Sequence, residues 1–308
     1  MEQPPASALS ALDKLARAEE HINHLEVEFR AWLRHSYRVR VELDFQHRKV
    51  TKYVCQTAPL PRRWGIVIGD AVHDMRSALD HLAWALTIHH QRRMPAEPLP
   101  LGCSCWWRSV AFPIFLNAPK TWAPTQLRGV DPVVRDRIRD EQPFTARNHN
   151  EALRSDLWVL EELWNRDKHR SVLEIDARLA LRTEWLPEER LLVGIFGAKA
   201  DPFGSIAIQS ASRRKDGPVK YGDEVEVFRI VFENEIPNGP LLKAYLRKNA
   251  KTVCDMEFDK GLVAPELGVR KTLRRIHKTV SALVESFLPD LYPVRRIARS
   301  RDHCPPRR

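Results

Sequence analysis

Leu15, Ala18, Ile22, Leu25, Phe29 and Trp32 recur at steps of three and four, which places one apolar stripe along a helix that starts near Ser10 and Asp13. Beyond Trp32 the spacing changes. Tyr37, Val39, Val41, Leu43 and Phe45 alternate with Ser36, Arg38, Arg40, Glu42 and Asp44, a strand-like period that competes with continuation of the helix. We read the segment from Ser10 to about Cys55 as one long helix, closed by Pro59 and Pro61.

A second helix is predicted where Ile68, Val72, Met75, Leu79, Leu82 and Leu86 follow one another by four and three. Residues 92–125 are rich in proline and contain Cys103, Cys105, Trp106, Trp107 and Trp122, so they read as an ordered loop pinned by its aromatics. A short helix is expected from Pro124 to Asp140, and another is marked by Leu153, Leu157, Leu160 and Trp164 and runs to about Arg170. The period then becomes two. Leu173, Ile175, Ala177, Leu179 and Leu181 begin a strand, with more expected at 191–196, 205–209, 224–232 and 253–258 between turn-forming residues. A closing helix from about Leu267 to Leu288 carries Leu273, Ile276, Val280, Leu283 and Phe287 on one side.

This order predicts an α+β protein, a helical bundle with a mostly antiparallel β-sheet inserted before the last helix. The expected divisions are a flexible N-terminus over 1–9, the bundle with its proline- and tryptophan-rich loop over 10–171, a β region over 172–260, the closing helix over 261–290 and a basic disordered tail over 291–308.

Charge changes this picture little. The chain of 308 residues has a formal net charge of +10. Arg295, Arg296, Arg299, Arg301, Arg307 and Arg308 lie in the tail against Asp302 alone, so the rest is an ordinary mixed surface. The five cysteines are odd in number and scattered, which suits a reducing compartment better than a disulfide framework or a zinc site. The start, Met-Glu-Gln-Pro-Pro, lacks the pattern of a signal peptide, and no apolar run is long enough to span a membrane. We expect a cytoplasmic protein without a membrane partner. No P-loop, G-x-G-x-x-G, G-x-S-x-G or paired CxxC motif is present, and no cofactor is implied.

The polar side of the second helix carries the candidate chemistry. His73, Ser77 and Asp80 fall on one line of that helix and Asp74 and His81 on a neighbouring line, while Arg76 precedes Asp80 by four residues. Asn165, Lys168 and His169 share a face at the end of the 153–170 helix, next to Arg170. Packed together, the two helices would gather imidazoles, carboxylates and fixed cations in one pocket. The same residues also fit a structural role, because Arg76 with Asp80 is an ordinary ion-pair spacing and basic residues complement a helix C-terminus.

The run Arg76-Ser-Ala-Leu-Asp-His81 on a bundle helix resembles the active motif of the HEPN superfamily of RNA-cleaving and nucleotide-binding helical domains. The wider pattern, His73-Asp-Met-Arg-Ser-Ala-Leu-Asp-His81-Leu-Ala with Asn165-Arg-Asp-Lys-His169-Arg170, is similar to a widespread group of bacterial proteins. The HEPN resemblance implies metal-independent RNA cleavage, with His81 assisting attack by the ribose 2′-OH and Arg76 stabilising the developing charge. His73, Asp74, Ser77, Asp80, Asn165, Lys168, His169 and Arg170 would support them. RNA and a second copy of the chain are the implied partners. Ser77 departs from the family pattern, which usually has Asn, Asp or His at that place.

Two other readings stand beside this one. In the first the protein is not an enzyme, the cluster anchors helices, and a sheet edge binds a protein partner. In the second His73, Asp74, His81 and His169 hold a divalent metal.

Overall fold

In the computed structural model the described residues are 6–93, 106–122, 124–169, 178–183, 208–213, 221–222, 224–233, 235–236, 240, 243, 252–258 and 268–291. Among them the order is α1 (Ala6–His35), β1 (Tyr37–Asp44), β2 (Lys49–Gln56), α2 (Arg63–Arg93), α3 (Pro132–Asp140), α4 (His149–Arg154), α5 (Asp156–His169), β3 (Arg178–Thr183), β4 (Ile208–Arg213), β5 (Glu224–Phe232), β6 (Thr252–Glu257) and α6 (Val269–Leu291). The α+β class is as expected. None of these helices is long and apolar enough to cross a membrane.

The helix expected through Cys55 ends at His35, and the strand-like alternation that follows is a hairpin. Val41 is buried with Val39 and Leu43 partly so, while Arg38, Arg40 and Glu42 face water. A helix would have scattered this alternation around its axis, whereas a pleated strand sorts it onto two faces. Asp44 closes the turn by accepting from the His47 backbone N–H at 3.0 Å. Arg48 completes it with a left-handed φ of 51°.

β2 lies between β1 and β5 in a four-stranded antiparallel sheet of order β1-β2-β5-β4. Two of its strands therefore come from the hairpin between the first two long helices, and not only from the region before the last helix. β3 and β6 form a separate antiparallel pair. The strand expected over 191–196, the Cys103–Cys105 pair and the start of the strand expected from residue 173 lie outside the described residues.

α2 is the central helix and packs against α1, α5 and α6. All six residues of its expected stripe are buried, in one core with Leu15, Ile22 and Phe29 of α1, Val50 and Ile230 of the sheet, Leu160 of α5 and Val280 of α6. Trp64 at the start of α2 is 1 % exposed. It meets the Phe29 and Trp32 rings edge-on at 5.8 and 6.0 Å and donates from Nε1 to Glu28 at 2.7 Å.

The helix expected over 153–170 is divided at Ser155, which adopts an extended backbone. Its hydroxyl donates to Ala152 O at 2.8 Å and accepts from Trp158 N at 3.3 Å, so one side chain ends α4 and starts α5. The loop before α3 is pinned as its composition suggests. Trp122 donates to Arg135 O at 3.1 Å and meets Phe115 and Phe144 edge-on. Gln142 takes the Phe115 N–H at 3.0 Å and donates to Pro113 O at 2.9 Å. The side chains of Trp106 and Trp107 lie outside the described residues.

Candidate functional site

α1 and α2 run antiparallel, since rising positions on one meet falling positions on the other. Ser10 Oγ lies 2.7 Å from His81 Nδ1, Lys14 donates to Asp74 at 2.6 Å, and Glu28 accepts from Arg63 and Trp64. His21 adds a second cationic neighbour to Asp74 when protonated, with its Nε2 at 3.7 Å. The Asp74 and His81 line of α2 therefore faces α1.

Arg76 faces the other way. Its Nε donates to Glu161 of α5 at 3.1 Å, Nη1 to Asp80 at 2.5 Å and Nη2 to the Phe112 carbonyl at 2.9 Å. Asp80 in turn accepts the Phe112 backbone N–H at 2.9 Å. The peptide groups of a buried loop residue are thus held from both sides by an ion pair one helical turn apart on α2. The guanidinium also lies 5.2 Å from the centroid of the Trp164 ring, near the range in which a cation is drawn to an aromatic face.

Asn165 and Lys168 belong to this second group. Asn165 donates to Glu161 at 3.3 Å, and the Lys168 ammonium sits 4.6 Å from the Trp164 centroid. His73 and Ser77 approach each other at 3.4 Å on an exposed part of α2. Arg170 and the His169 side chain lie outside the described residues. The gathered pocket expected from two helices is therefore three separate arrangements: Asp74 and His81 toward α1, Arg76 and Asp80 toward α5 and the loop, and His73 with Ser77 toward water. Among the described residues no three His, Cys, Asp or Glu side chains are placed to hold a metal ion.

Asp167 of α5 lies against Gly69 of α2. A Cβ placed on Gly69 would lie 2.6 Å from an Asp167 carboxylate oxygen, so the absence of a side chain at Gly69 makes room for it. Burial raises the Asp167 pKa above the usual carboxylate range, the Asp70 charge raises it further, and His73 opposes the shift. A raised acid keeps its proton longer in the folded than in the unfolded state. Its penalty is accordingly absent below the unfolded pKa and complete above the folded one. Asp167→Asn is expected to raise Tm at pH 7 and to leave it unchanged at about pH 3, as thermal unfolding followed by circular dichroism at the two pH values will show.

The residues around a cleft at the far end of α2 drew no attention in the sequence. The doublet His89-His90 beside Arg92 and Arg93, at the end of a strongly periodic helix, was the available signal. No protein-family model, curated protein or solved structure matches the chain.

Proposed function

We propose that the protein acts by binding rather than catalysis through the α2 cluster, and that the cluster is an anchoring network that fixes α1, α5 and the loop around the central helix. The support is Arg76 itself. Its side chain is 7 % exposed, and its Nε, Nη1 and Nη2 each have an acceptor within the protein. A phosphate would have to displace Asp80, Glu161 or the Phe112 carbonyl to reach it. His81, the other half of the RNA-cleaving pair, has a different neighbour on a different helix.

The outer edge of β1 then remains for a protein partner. It is an eight-residue strand with no neighbour on that side among the described residues. Its water-facing side presents Arg38, Arg40 and Glu42, so an added strand must match two positive charges followed by a negative one. Arg40 is already tied to Glu224 by two bonds of 2.7 and 2.9 Å and lies over the Tyr53 ring, which keeps that face ordered.

The test against RNA cleavage uses purified protein with mixed RNA in EDTA, in parallel with His81→Ala. We expect the two proteins to leave the RNA equally intact. Cleavage by the parent chain that His81→Ala abolishes, at unchanged Tm, would reject the anchoring role and restore the catalytic one.

A further inference from the structure

Where α2 ends, the N-terminus of α3 and the last turn of α6 enclose a cleft of about 500 Å³, within the range of small-molecule sites. Its apolar walls are Leu86, Val130, Val134 and Pro289. Polar groups enter from α2 as His89, His90 and Arg93, and from the facing elements as Asp131 and Asp290.

The partners of these groups decide what the cleft favours. Asp131 caps α3 by accepting from Val133 N at 2.8 Å and lies 3.6 Å from His90 Nδ1. Asp290 is held by Arg137. Both carboxylates are thus engaged, whereas no described carboxylate is paired with Arg93 at the rim. Deeper in, the Nε2 atom of His89 is fully shielded and has no hydrogen-bond partner. Burial and then the Arg93 charge depress the His89 pKa, so the ring adds little positive charge to the cleft at neutral pH.

We propose that this cleft binds a small organic monocarboxylate with an apolar body, its carboxylate on the Arg93 guanidinium at the rim and its body against Leu86, Val130, Val134 and Pro289. A single carboxylate matches one unbalanced guanidinium. A phosphate dianion meets only one such cation and two nearby acidic groups, and an amine meets Arg93 with like charge. The site is separate from the α2–α5 network and stands or falls without it.

The test is titration of the full chain with octanoate, 3-phenylpropanoate, octanamide and octylamine, followed by ligand-observed NMR and calorimetry. Both carboxylates are expected to bind in the millimolar range or tighter, octanamide about tenfold more weakly than octanoate, and octylamine not at all. Arg93→Gln, at an exposed position, should weaken octanoate about tenfold and leave octanamide unchanged. His89→Leu should leave octanoate binding unchanged, yet raise Tm by about 2–4 °C, because it removes a shielded polar atom without a partner. Absence of carboxylate binding up to about 10 mM, equal binding of octylamine, or octanoate affinity indifferent to Arg93→Gln would each overturn the assignment.

Discussion

Arg76→Ala is expected to lower the free energy of unfolding by about 3 kcal/mol, read from urea denaturation at pH 7. The loss comes from what remains behind. Without the guanidinium, the Asp80 and Glu161 carboxylates face each other beneath the loop with no cation between them, and the Phe112 carbonyl has no donor. The figure sits at the low end for a broken buried pair because Asp80 and Glu161 keep 33 % and 17 % of their side chains exposed. Removing both ends of one arm separates the loss of an attraction from the strain of an orphaned charge. Arg76→Met combined with Glu161→Met should recover a large part of the deficit, since apolar groups of similar volume leave one fewer unpaired carboxylate. Acid should narrow the gap between Arg76→Ala and the parent chain, because protonation discharges the stranded acids. A surface arginine kept for chemistry would behave otherwise, with less than about 0.5 kcal/mol of change on truncation.

Trp64→Ala should lower stability by about 3–5 kcal/mol in the same measurement. The indole is shielded from water and packs edge-on against Phe29 and Trp32, so its removal leaves a large void between α1 and α2 at the hairpin end of the bundle. Its N–H also holds Glu28, whose other neighbours are Arg63 and His24. Trp64→Phe keeps ring contact and loses that bond, so it should fall between the parent chain and Trp64→Ala. If Trp64→Ala changed stability by less than 1 kcal/mol, the α1–α2 packing described above would be wrong at that end.

The parts of the fold that were legible in the sequence are those that one element settles alone. The α2 stripe from Ile68 to Leu86 is wholly buried, and β5 occupies the expected 224–232 segment, because side-chain period and core contact agree there. The hairpin was misread for want of a turn signal. Asp44-Phe-Gln-His-Arg48 contains no glycine, proline or asparagine, and its reversal depends on the Asp44 carboxylate and on Arg48 taking a conformation that arginine rarely adopts. The break at Ser155 was equally silent, since a serine within a periodic run looks tolerable until its hydroxyl is seen serving two helices.

The candidate site shows the same boundary. Arg76, Asp80 and His81 were visible as polar residues on an otherwise apolar helix. Which neighbour each one meets depends on how α1, α5 and the loop dock around α2, and helical spacing carries no record of that. The cleft lay further out of reach. Its lining comes from 86–93, 130–134 and 289–290, three stretches that only the folded chain brings together.

The sheet order also governs when the molecule can be completed as it leaves the ribosome. Lys49 pairs with Val231, 182 positions later in the chain, and β5 fills the interior of the sheet. At ordinary elongation rates roughly 10–40 s pass between emergence of the hairpin and of the strand that covers it. During that interval the β2 flank is an unsatisfied row of amide and carbonyl groups, open to any extended peptide nearby. The yield of correctly formed protein should therefore respond to translation speed and chaperone supply, even for variants whose final stability is unchanged.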